Sequence, residues 1–370
     1  MKIAIFADTH LGYSRFEEDS YKQAERVITS ASEKADLVLC AGDVFDTKVP
    51  KLETLKKAVD IFKRVKTPVF AIYGNHERRA KEFTNPAELL AASTGIRMLN
   101  KESAVFEKEG EKVQVFGIGS VPEEHASQVI TDAVKDFKKE ENAFTIIMIH
   151  QSIKELVPGA EEEVSLETLK ALPFDLIVNG HMHETIVKLD GRLLIPGSTV
   201  ITQLKKNEIA EKGYFLYDTK ERKAEFIGIG SRRFFYEELE FKDAGEAEVR
   251  EKVKELVERI RKEHPEAIIA LKLNGALKEG LSASDIKVDG YTDVYIDNRL
   301  NAESLSARLE MIRDIRKENL SVRDIAFKEL RKKTEGKISM FDSSEIFEKL
   351  LEGSDEALEY IEKCNKKGKG

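Results

Sequence analysis

Eight side chains that could bind a metal ion or transfer a proton follow directly after short apolar runs of this sequence. They are acidic, amide or imidazole groups: Asp8, His10, Asp43, Asn75, His76, His150, His181 and His183. The chain has seven histidines, and five of them belong to this set. Such apolar runs are typical of strands that are buried on both faces. Ligands of open α/β sheets bind beyond the carboxyl ends of the strands, so we expect these side chains to converge on one site.

The donor atoms of this set indicate which metal ions could bind. Two carboxylates, one amide oxygen and several imidazoles include no thiolate, which is atypical of a structural zinc site and suits ions such as Mn²⁺ or Fe²⁺. Asp8 and Asp43 would neutralise two of the four charges on a pair of divalent ions, and Asp43 could bridge them. With a bridging hydroxide the centre keeps a charge of about +1, which suits a phosphodiester anion. His76, beside Asn75, is the best candidate to protonate the leaving oxygen.

Each of these short motifs is weak when taken alone. An Asp-x-His or a Gly-Asn-His sequence is more often a capping pair or a turn than part of a metal site. Their occurrence together, each at the end of a predicted strand, favours a metal centre over independent structural roles. His125 and His264 lie outside this pattern and are predicted to be surface residues.

The composition is that of an acidic globular protein. The 370 residues carry a net charge of −8, so DNA affinity would have to come from local patches, metal ions or a partner. Two distant cysteines and the lack of a signal-peptide pattern predict a cytoplasmic or nucleoid-associated protein. No apolar run approaches the ~20 residues of a membrane span, so no membrane association is expected. Abundant charged residues, at 35%, favour a prokaryotic and thermophilic source.

Three regions of the chain differ in their predicted secondary structure. Residues 1–230 alternate strands and helices, which predicts an α/β domain built as a β-sandwich flanked by helices. Residues 231–300 predict a small α+β cap domain, and residues 301–370 predict a linker and a helical tail. The apolar faces of this tail need another surface to bury against. They include Ile346, Phe347, Leu350 and Leu351.

The order of the motifs resembles that of the calcineurin-like metallophosphoesterase superfamily, over residues 1 to about 230. The matching motifs are Asp8-x-His10, Gly42-Asp43, Gly74-Asn75-His76-Glu77, His150 and Gly180-His181-x-His183. Finer features resemble one branch, the DNA double-strand-break repair nucleases of the meiotic recombination eleven and SbcD type. These features are Asp8-Thr9-His10-Leu11-Gly12-Tyr13, Ala41-Gly42-Asp43-Val44-Phe45-Asp46 and Pro196-Gly197-Ser198.

The resemblance implies a DNA nuclease with two Mn²⁺ ions per subunit, Fe²⁺ or Mg²⁺ being alternatives. One ion would be held by Asp8, His10, Asp43 and His183. The other would be held by Asp43, Asn75, His150 and His181. His76 would be the catalytic acid of a 3′-to-5′ exonuclease and single-strand endonuclease. Many relatives carry other residues at Asp46 and Glu77, which we expect to handle the phosphate or to contact the ligands.

The resemblance also implies two protein partners. One is a second copy of the chain, with dimer contacts expected on the helices that carry Leu55, Leu89 and Leu90. The other is an SMC-like coiled-coil ABC ATPase of the Rad-fifty or SbcC type, bound through the tail from about Asn319.

Three functions remain open from the sequence. The leading hypothesis is a Mn²⁺-dependent nuclease subunit of a double-strand-break repair complex. A phosphodiesterase acting on nucleotides or small phosphodiesters is the second, although a cap domain and a docking tail favour a large substrate. The third is a scaffold that kept the fold and lost the metals, against which the complete ligand set argues.

Overall fold

The structure is a computed structural model that describes most of the chain. The described residues are 1–80, 82–157, 163–278, 280–288 and 290–301, together with Glu345, Lys349, Ala357, Leu358, Tyr360 and Ile361. The predicted docking residues lie outside these: Ile346, Phe347, Leu350 and Leu351. Two compact units are present, one made of residues 1–239, 251–272 and 288–297, and the other of residues 240–250, 273–287 and 298–370. The domain boundaries at residues 230 and 300 stay predictions.

Helices and strands alternate through the first part of the chain. The helices are α1 (Glu17–Lys34), α2 (Leu52–Phe62), α3 (Pro86–Thr94), α4 (Glu123–Lys135), α5 (Leu166–Ala171) and α6 (Glu246–Glu263). The strands are β1 (Lys2–Phe6), β2 (Leu37–Ala41), β3 (Val69–Ile72), β4 (Arg97–Met98), β5 (Glu102–Lys108), β6 (Glu111–Gly117), β7 (Ala143–Ile149), β8 (Leu176–Asn179), β9 (Ile186–Lys188), β10 (Leu193–Ile195), β11 (Gly213–Asp218), β12 (Lys223–Gly228), β13 (Phe234–Ala244), β14 (Ile268–Leu277) and β15 (Val294–Asn301).

Two six-stranded sheets form a sandwich, which confirms the predicted α/β class. Their strand orders are β12-β11-β1-β2-β3-β4 and β5-β6-β7-β8-β10-β9, with β1, β2 and β3 parallel in the first and β6, β7 and β8 parallel in the second. Strands β13, β14 and β15 form a separate three-stranded sheet in that order.

The core has three layers, which explains why the central strands are apolar on both faces. Ile3 and Ile5 of β1 point into the layer between the sheets, together with Val113 and Met148 of the second sheet. The alternate residues of β1, Ala4 and Phe6, pack instead against α1 and α2. Helices α4 and α5 cover the outer face of the second sheet. Because successive side chains of a strand point to opposite faces, burial on both sides requires an unbroken apolar run.

Local sequence signals mark the ends of several elements. Asn85 caps α3 by accepting a hydrogen bond at 2.8 Å from the backbone N–H of Ala87, and Pro86 occupies the first helical position. The helix ends at Gly95, which has a left-handed φ of 80°. Among the helices of the described residues, none combines the length and the apolar character that would let it cross a bilayer.

The carboxyl ends of five strands meet at one rim, where the two sheets come very close. A Cβ atom on Gly180, after β8, would lie 2.1 Å from the carbonyl oxygen of Ala41 at the end of β2. A Cβ atom on Gly74, after β3, would lie 1.9 Å from Oδ1 of Asp43. Only glycine permits such an approach, so these two residues bring the side chains that follow the strands into one site.

Candidate active site

Four predicted ligands have backbone torsions in the left-handed region, which residues other than glycine rarely adopt. The φ angles are 54° at Asp8, 43° at His10, 50° at Asp43 and 74° at His181. The loops that carry them are held together, since the N–H of Asp8 donates to the carbonyl of Gly42 and the N–H of His10 to that of Asp43. Such strain concentrates at functional sites, where the surrounding structure enforces it.

Asp8, His10 and His183 form the first group of possible ligands. Nε2 of His10 lies 3.2 Å from Nε2 of His183 and 3.9 Å from Oδ1 of Asp8. Asp8 and His10 are buried, and one ligand atom from each of the three residues lies within 4.8 Å of the others. A carboxylate and two imidazole nitrogens at this spacing suit a single divalent cation.

Asp43, Asn75, His150 and His181 form the second group. Nε2 of His150 lies 3.2 Å from Oδ2 of Asp43 and 3.1 Å from Oδ1 of Asn75. Nδ1 of His181 lies 2.8 Å from the same oxygen of Asn75. The carbonyl of Ala41 can only accept, so Nδ1–H of His150 donates to it at 2.7 Å and Nε2 faces the other ligands.

Asp43 connects the two groups. It also lies with His10 and His76 in a third set of residues whose ligand atoms are within 4.8 Å of one another. The clustered carboxylate, amide and imidazole groups therefore suit divalent metal ions, and Asp43 is close to both groups.

His76 stands beside these groups on the wall of a cavity. The cavity has a volume of about 410 Å³ and is also lined by Asp43, His181 and His183. The carbonyl of Asp46 accepts a hydrogen bond at 2.5 Å from Nδ1–H of His76, which leaves Nε2 as the nitrogen that can exchange a proton. The backbone N–H of His76 donates to Oδ1 of Asp43 at 2.9 Å, so the histidine is fixed to a ligand.

The carboxylate of Asp46 contacts a predicted ligand. Its Oδ1 lies 3.3 Å from Nδ1 of His10 and 3.9 Å from Nδ1 of His76. A carboxylate at Nδ1 of His10 favours the ring orientation in which Nε2 faces Asp8 and His183.

Glu77 joins the two loops that carry Asp43 and Asn75. It is fully buried, and its two carboxylate oxygens accept hydrogen bonds at 2.7 Å from the N–H groups of Phe45 and Gly74. Burial, together with the nearby charge of Asp43, raises the pKa of Glu77 to about 8. The residue thus contacts the ligand loops through their backbone.

We expect Glu77→Ala to destabilise the fold by about 2–6 kcal/mol. It leaves two buried N–H groups without an acceptor, each of which costs about 1–3 kcal/mol. The free energy of unfolding in urea measures the effect. Glu102→Ala, at an exposed position of β5, is the matched control and should stay within about 0.5 kcal/mol of the wild type. Equal stability of the two variants would contradict the role given to Glu77.

Residues 1–185 of the chain match the family model described as calcineurin-like phosphoesterase. The chain belongs to the calcineurin-like phosphoesterase family. The matched stretch contains all eight side chains that were singled out from the sequence, from Asp8 to His183. The family match and the clustered acidic and imidazole groups together support binding of divalent metal ions at the rim of the sandwich.

Several relatives of this phosphoesterase are named for repair of DNA breaks. The DNA double-strand break repair protein Mre11 of Archaeoglobus fulgidus is 27% identical over 336 residues, which cover 80% of this chain and 70% of that protein. The protein of the same name from Methanocaldococcus jannaschii is 30% identical over 59% of this chain and 62% of its own length. The double-strand break repair protein MRE11 of Encephalitozoon cuniculi is 27% identical over 71% of this chain, and the match spans only 54% of that protein.

Burial and neighbouring charges shift the pKa values of the histidines at this rim in different directions. Burial lowers the pKa of His181 to about 4, with a further contribution from His150, and it lowers the pKa of His183 to about 2. Both rings are therefore neutral at pH 7 and keep a lone pair for a metal ion. Burial also acts to lower the pKa of His150, but the charge of Asp43 outweighs it and raises that pKa to about 10. Nε2 of His150 lies 3.2 Å from Oδ2 of Asp43, which is the source of this effect.

The remaining predicted residues lie away from this site. Leu55 of α2 is half-buried against the core, and Leu89 of α3 is 46% exposed. Leu90 is only 2% exposed and packs inside the core of the chain. His125 is exposed as predicted, whereas His264 is half-buried with its ring 5.3 Å from that of Phe235.

Two parts of the site have no signal in the sequence. Glu123, at the start of α4, accepts a hydrogen bond from Ser152 at 3.2 Å and lies 3.8 Å from Nε2 of His181. Thr202 contacts Nδ1 of His183. Each lies near one ring nitrogen of a predicted ligand, and the other ring nitrogen faces the remaining predicted ligands. Neither follows a strand as the ligands do, so no pattern of spacing could have found them.

Proposed function

We propose that this chain is a Mn²⁺-dependent DNA nuclease, a 3′-to-5′ exonuclease and single-strand endonuclease of a double-strand-break repair complex. The observation that carries the proposal is the pair of adjacent ligand groups around Asp43, with His76 beside them on the wall of a cavity. The relatives named as double-strand break repair proteins support DNA as the substrate.

Each residue of the site has a part in the proposed reaction. Two divalent ions, when bound, would supply Lewis-acid stabilisation of the negative charge that develops on the phosphodiester. Asp8, His10 and His183 would hold one, Asn75, His150 and His181 the other, and Asp43 both. The Asp46 carbonyl orients His76 through Nδ1–H, so that Nε2 can give a proton to the leaving oxygen.

The size and lining of the cavity limit which phosphodiester could be cut. Apolar side chains of Leu156, Val157 and Met182 line the cavity together with the polar ligands. At about 410 Å³ the cavity has the size of a small-molecule site, so it could take a terminal nucleotide of DNA or a small free phosphodiester. The two substrates must be compared directly.

Cleavage of labelled DNA decides the proposal. End-labelled duplex and single-stranded DNA would be incubated with Mn²⁺, Mg²⁺ or a chelator, beside a small chromogenic phosphodiester. We expect Mn²⁺-dependent loss of 3′-terminal nucleotides and internal cuts in single strands. Turnover of the small ester with DNA untouched would favour a small-molecule phosphodiesterase. A metal-loaded protein that cuts neither would support the scaffold alternative.

The homodimer is also part of this proposal. Helices α2 and α3 pack against each other and expose Leu52 and Leu89, which are 79% and 46% accessible. Because Leu90 is buried in the core, the exposed leucines are the available dimer contacts. We expect the double variant Leu52→Glu and Leu89→Glu to sediment as a monomer. Val105→Glu, which changes an exposed apolar residue of β5, is the control and should remain a dimer. A dimeric double variant would exclude this surface.

The SMC-like ABC ATPase is the second proposed partner. The apolar pattern in the sequence of the tail supports docking, because the short amphipathic helices that it predicts would need a surface to bury against. We expect a chain truncated before Asn319 to lose co-purification with such an ATPase and to keep Mn²⁺-dependent cleavage. Binding of the ATPase by the truncated chain would contradict docking through the tail.

A further inference from the structure

A buried polar network lies directly behind the predicted ligand His183. It consists of Ser198, Thr202, Glu208 and Lys212, and is called the Glu208 network below. Glu208 is 3% exposed and Lys212 is 5% exposed. Charged side chains are rarely buried to this degree unless they are paired and hydrogen-bonded. The network therefore needs an explanation in terms of what it holds in place.

Every proton of the Lys212 ammonium group has an acceptor in this network. Nζ lies 2.5 Å from Oε2 of Glu208, and it donates to Oγ of Ser198 at 3.0 Å and to the backbone carbonyl of His183 at 3.5 Å. Since an ammonium group has three protons, its hydrogen-bonding capacity is filled. Lys212 thus neutralises Glu208 and also ties the backbone of a metal ligand to the ion pair.

Glu208 determines the direction of the next hydrogen bond. Its Oε1 accepts from Oγ1–H of Thr202 at 2.9 Å and from the backbone N–H of Gln203 at 3.2 Å. An ionised carboxylate can only accept, so the single hydroxyl proton of Thr202 points to Glu208. Oγ1 of Thr202 then presents a lone pair to Nδ1 of His183, with which it is in hydrogen-bond contact.

The hydrogen bonds of Thr202 also determine which nitrogen of the His183 ring carries the proton. Because Oγ1 of Thr202 offers a lone pair, Nδ1 of His183 must carry the hydrogen and donate it. Nε2 then has no hydrogen, and its lone pair faces Nε2 of His10 at 3.2 Å, within the first ligand group. A histidine that binds a metal through one nitrogen commonly donates its other N–H to such an outer partner.

We infer that Thr202, Glu208 and Lys212 are positioning residues that hold His183 in the Nδ1–H tautomer, with Nε2 directed at the metal. The inference rests on the metal centre of the proposed function and does not depend on DNA as the substrate. In the ion pair with Lys212, Glu208 can only accept a hydrogen bond, so Thr202 donates to Glu208 and accepts from Nδ1–H of His183. Lys212 fixes the backbone carbonyl of His183. Loss of the Thr202 hydroxyl should therefore weaken the binding of one of the two metal ions.

Metal affinity of Thr202→Val tests the inference, because valine keeps the shape of threonine and removes the hydroxyl. We expect calorimetric titration of the full chain with Mn²⁺ to show one ion bound about 10–100-fold more weakly and the other unchanged. Thr202→Ser restores the hydroxyl and should restore the affinity. Thr185→Val is the matched control, because Thr185 donates to the carbonyl of Pro196 nearby and has no contact with His183 among the described hydrogen bonds.

A second measurement reads the tautomer itself. Long-range ¹H–¹⁵N NMR of the full chain labelled on histidine, without metal, should show His183 as Nδ1–H, with its signal assigned from a His183→Gln variant. An Nε2–H ring in the wild type would overturn the inference, even if Thr202→Val failed to fold. Unchanged affinity for both ions in a folded Thr202→Val protein would also overturn it. Neither measurement uses DNA, so the result stays separate from the cleavage experiment.

Discussion

His76→Ala is expected to lower cleavage of DNA by about 10²–10⁴-fold, the usual contribution of a general acid. The imidazole lies on the cavity wall beside the ligands, and its Nδ1–H is bonded to the carbonyl of Asp46. Alanine removes the proton donor and leaves all the proposed ligands in place. The rate of loss of 3′-terminal nucleotides in Mn²⁺ is the measurement.

Metal content separates this role from ligation. The variant should still bind two Mn²⁺ ions per chain, because His76 is proposed to transfer a proton and not to hold an ion. His125→Ala, at an exposed position of α4, is the matched control and should cleave like the wild type. Loss of an ion from His76→Ala would make His76 a ligand, and retained cleavage would remove it from the reaction.

Asp43→Asn is expected to lower cleavage by about 10³-fold and to reduce bound Mn²⁺ below two ions per chain. A loss of this size corresponds to about 4 kcal/mol, in keeping with the several kcal/mol that metal ions contribute to such reactions. Asparagine keeps the shape of the side chain and can still accept from the backbone N–H of His76, which lies 2.9 Å from Oδ1. The substitution therefore tests whether the negative charge of Asp43, between the two groups of candidate ligands, is needed.

The charge effect has its own control. Asp60→Asn removes a carboxylate on α2 that is exposed and pairs with Lys56 at 2.6 Å. It should alter neither metal content nor cleavage, because exposed ion pairs contribute little. Elemental analysis after gel filtration gives the ions per chain for both variants. Two tightly bound ions in Asp43→Asn would show that the carboxylate does not bridge them.

The candidate ligands could be found from the sequence because their signal is local. A buried strand requires an unbroken apolar run, and the polar residue that ends it marks the rim of the sheet. For this reason Asp8, Asp43 and His150 could be placed at strand ends before any contact was known. All three residues lie within residues 1–185, which match the phosphoesterase family.

The exposure of the leucines on α3 could not be predicted from the sequence. Leu89 and Leu90 are adjacent in α3, yet one is 46% exposed and the other 2% exposed. Hydrophobic periodicity alone gives the two leucines the same weight. Only the packing of α3 on the rest of the core decides which one is available to a partner.

The sequence by itself determined the α/β sandwich class and the order of the candidate ligands along the chain. The tertiary structure alone decided which atoms meet, because contacts between distant loops depend on how two sheets pack. Glu208 and Lys212 are four residues apart and would pass for a solvated ion pair of a helix, but they are buried behind His183. Glu77 likewise gained its role from two N–H groups on separate loops. Such long-range hydrogen bonds leave no periodic trace in a sequence, since their partners are set by the fold and not by neighbours in the chain.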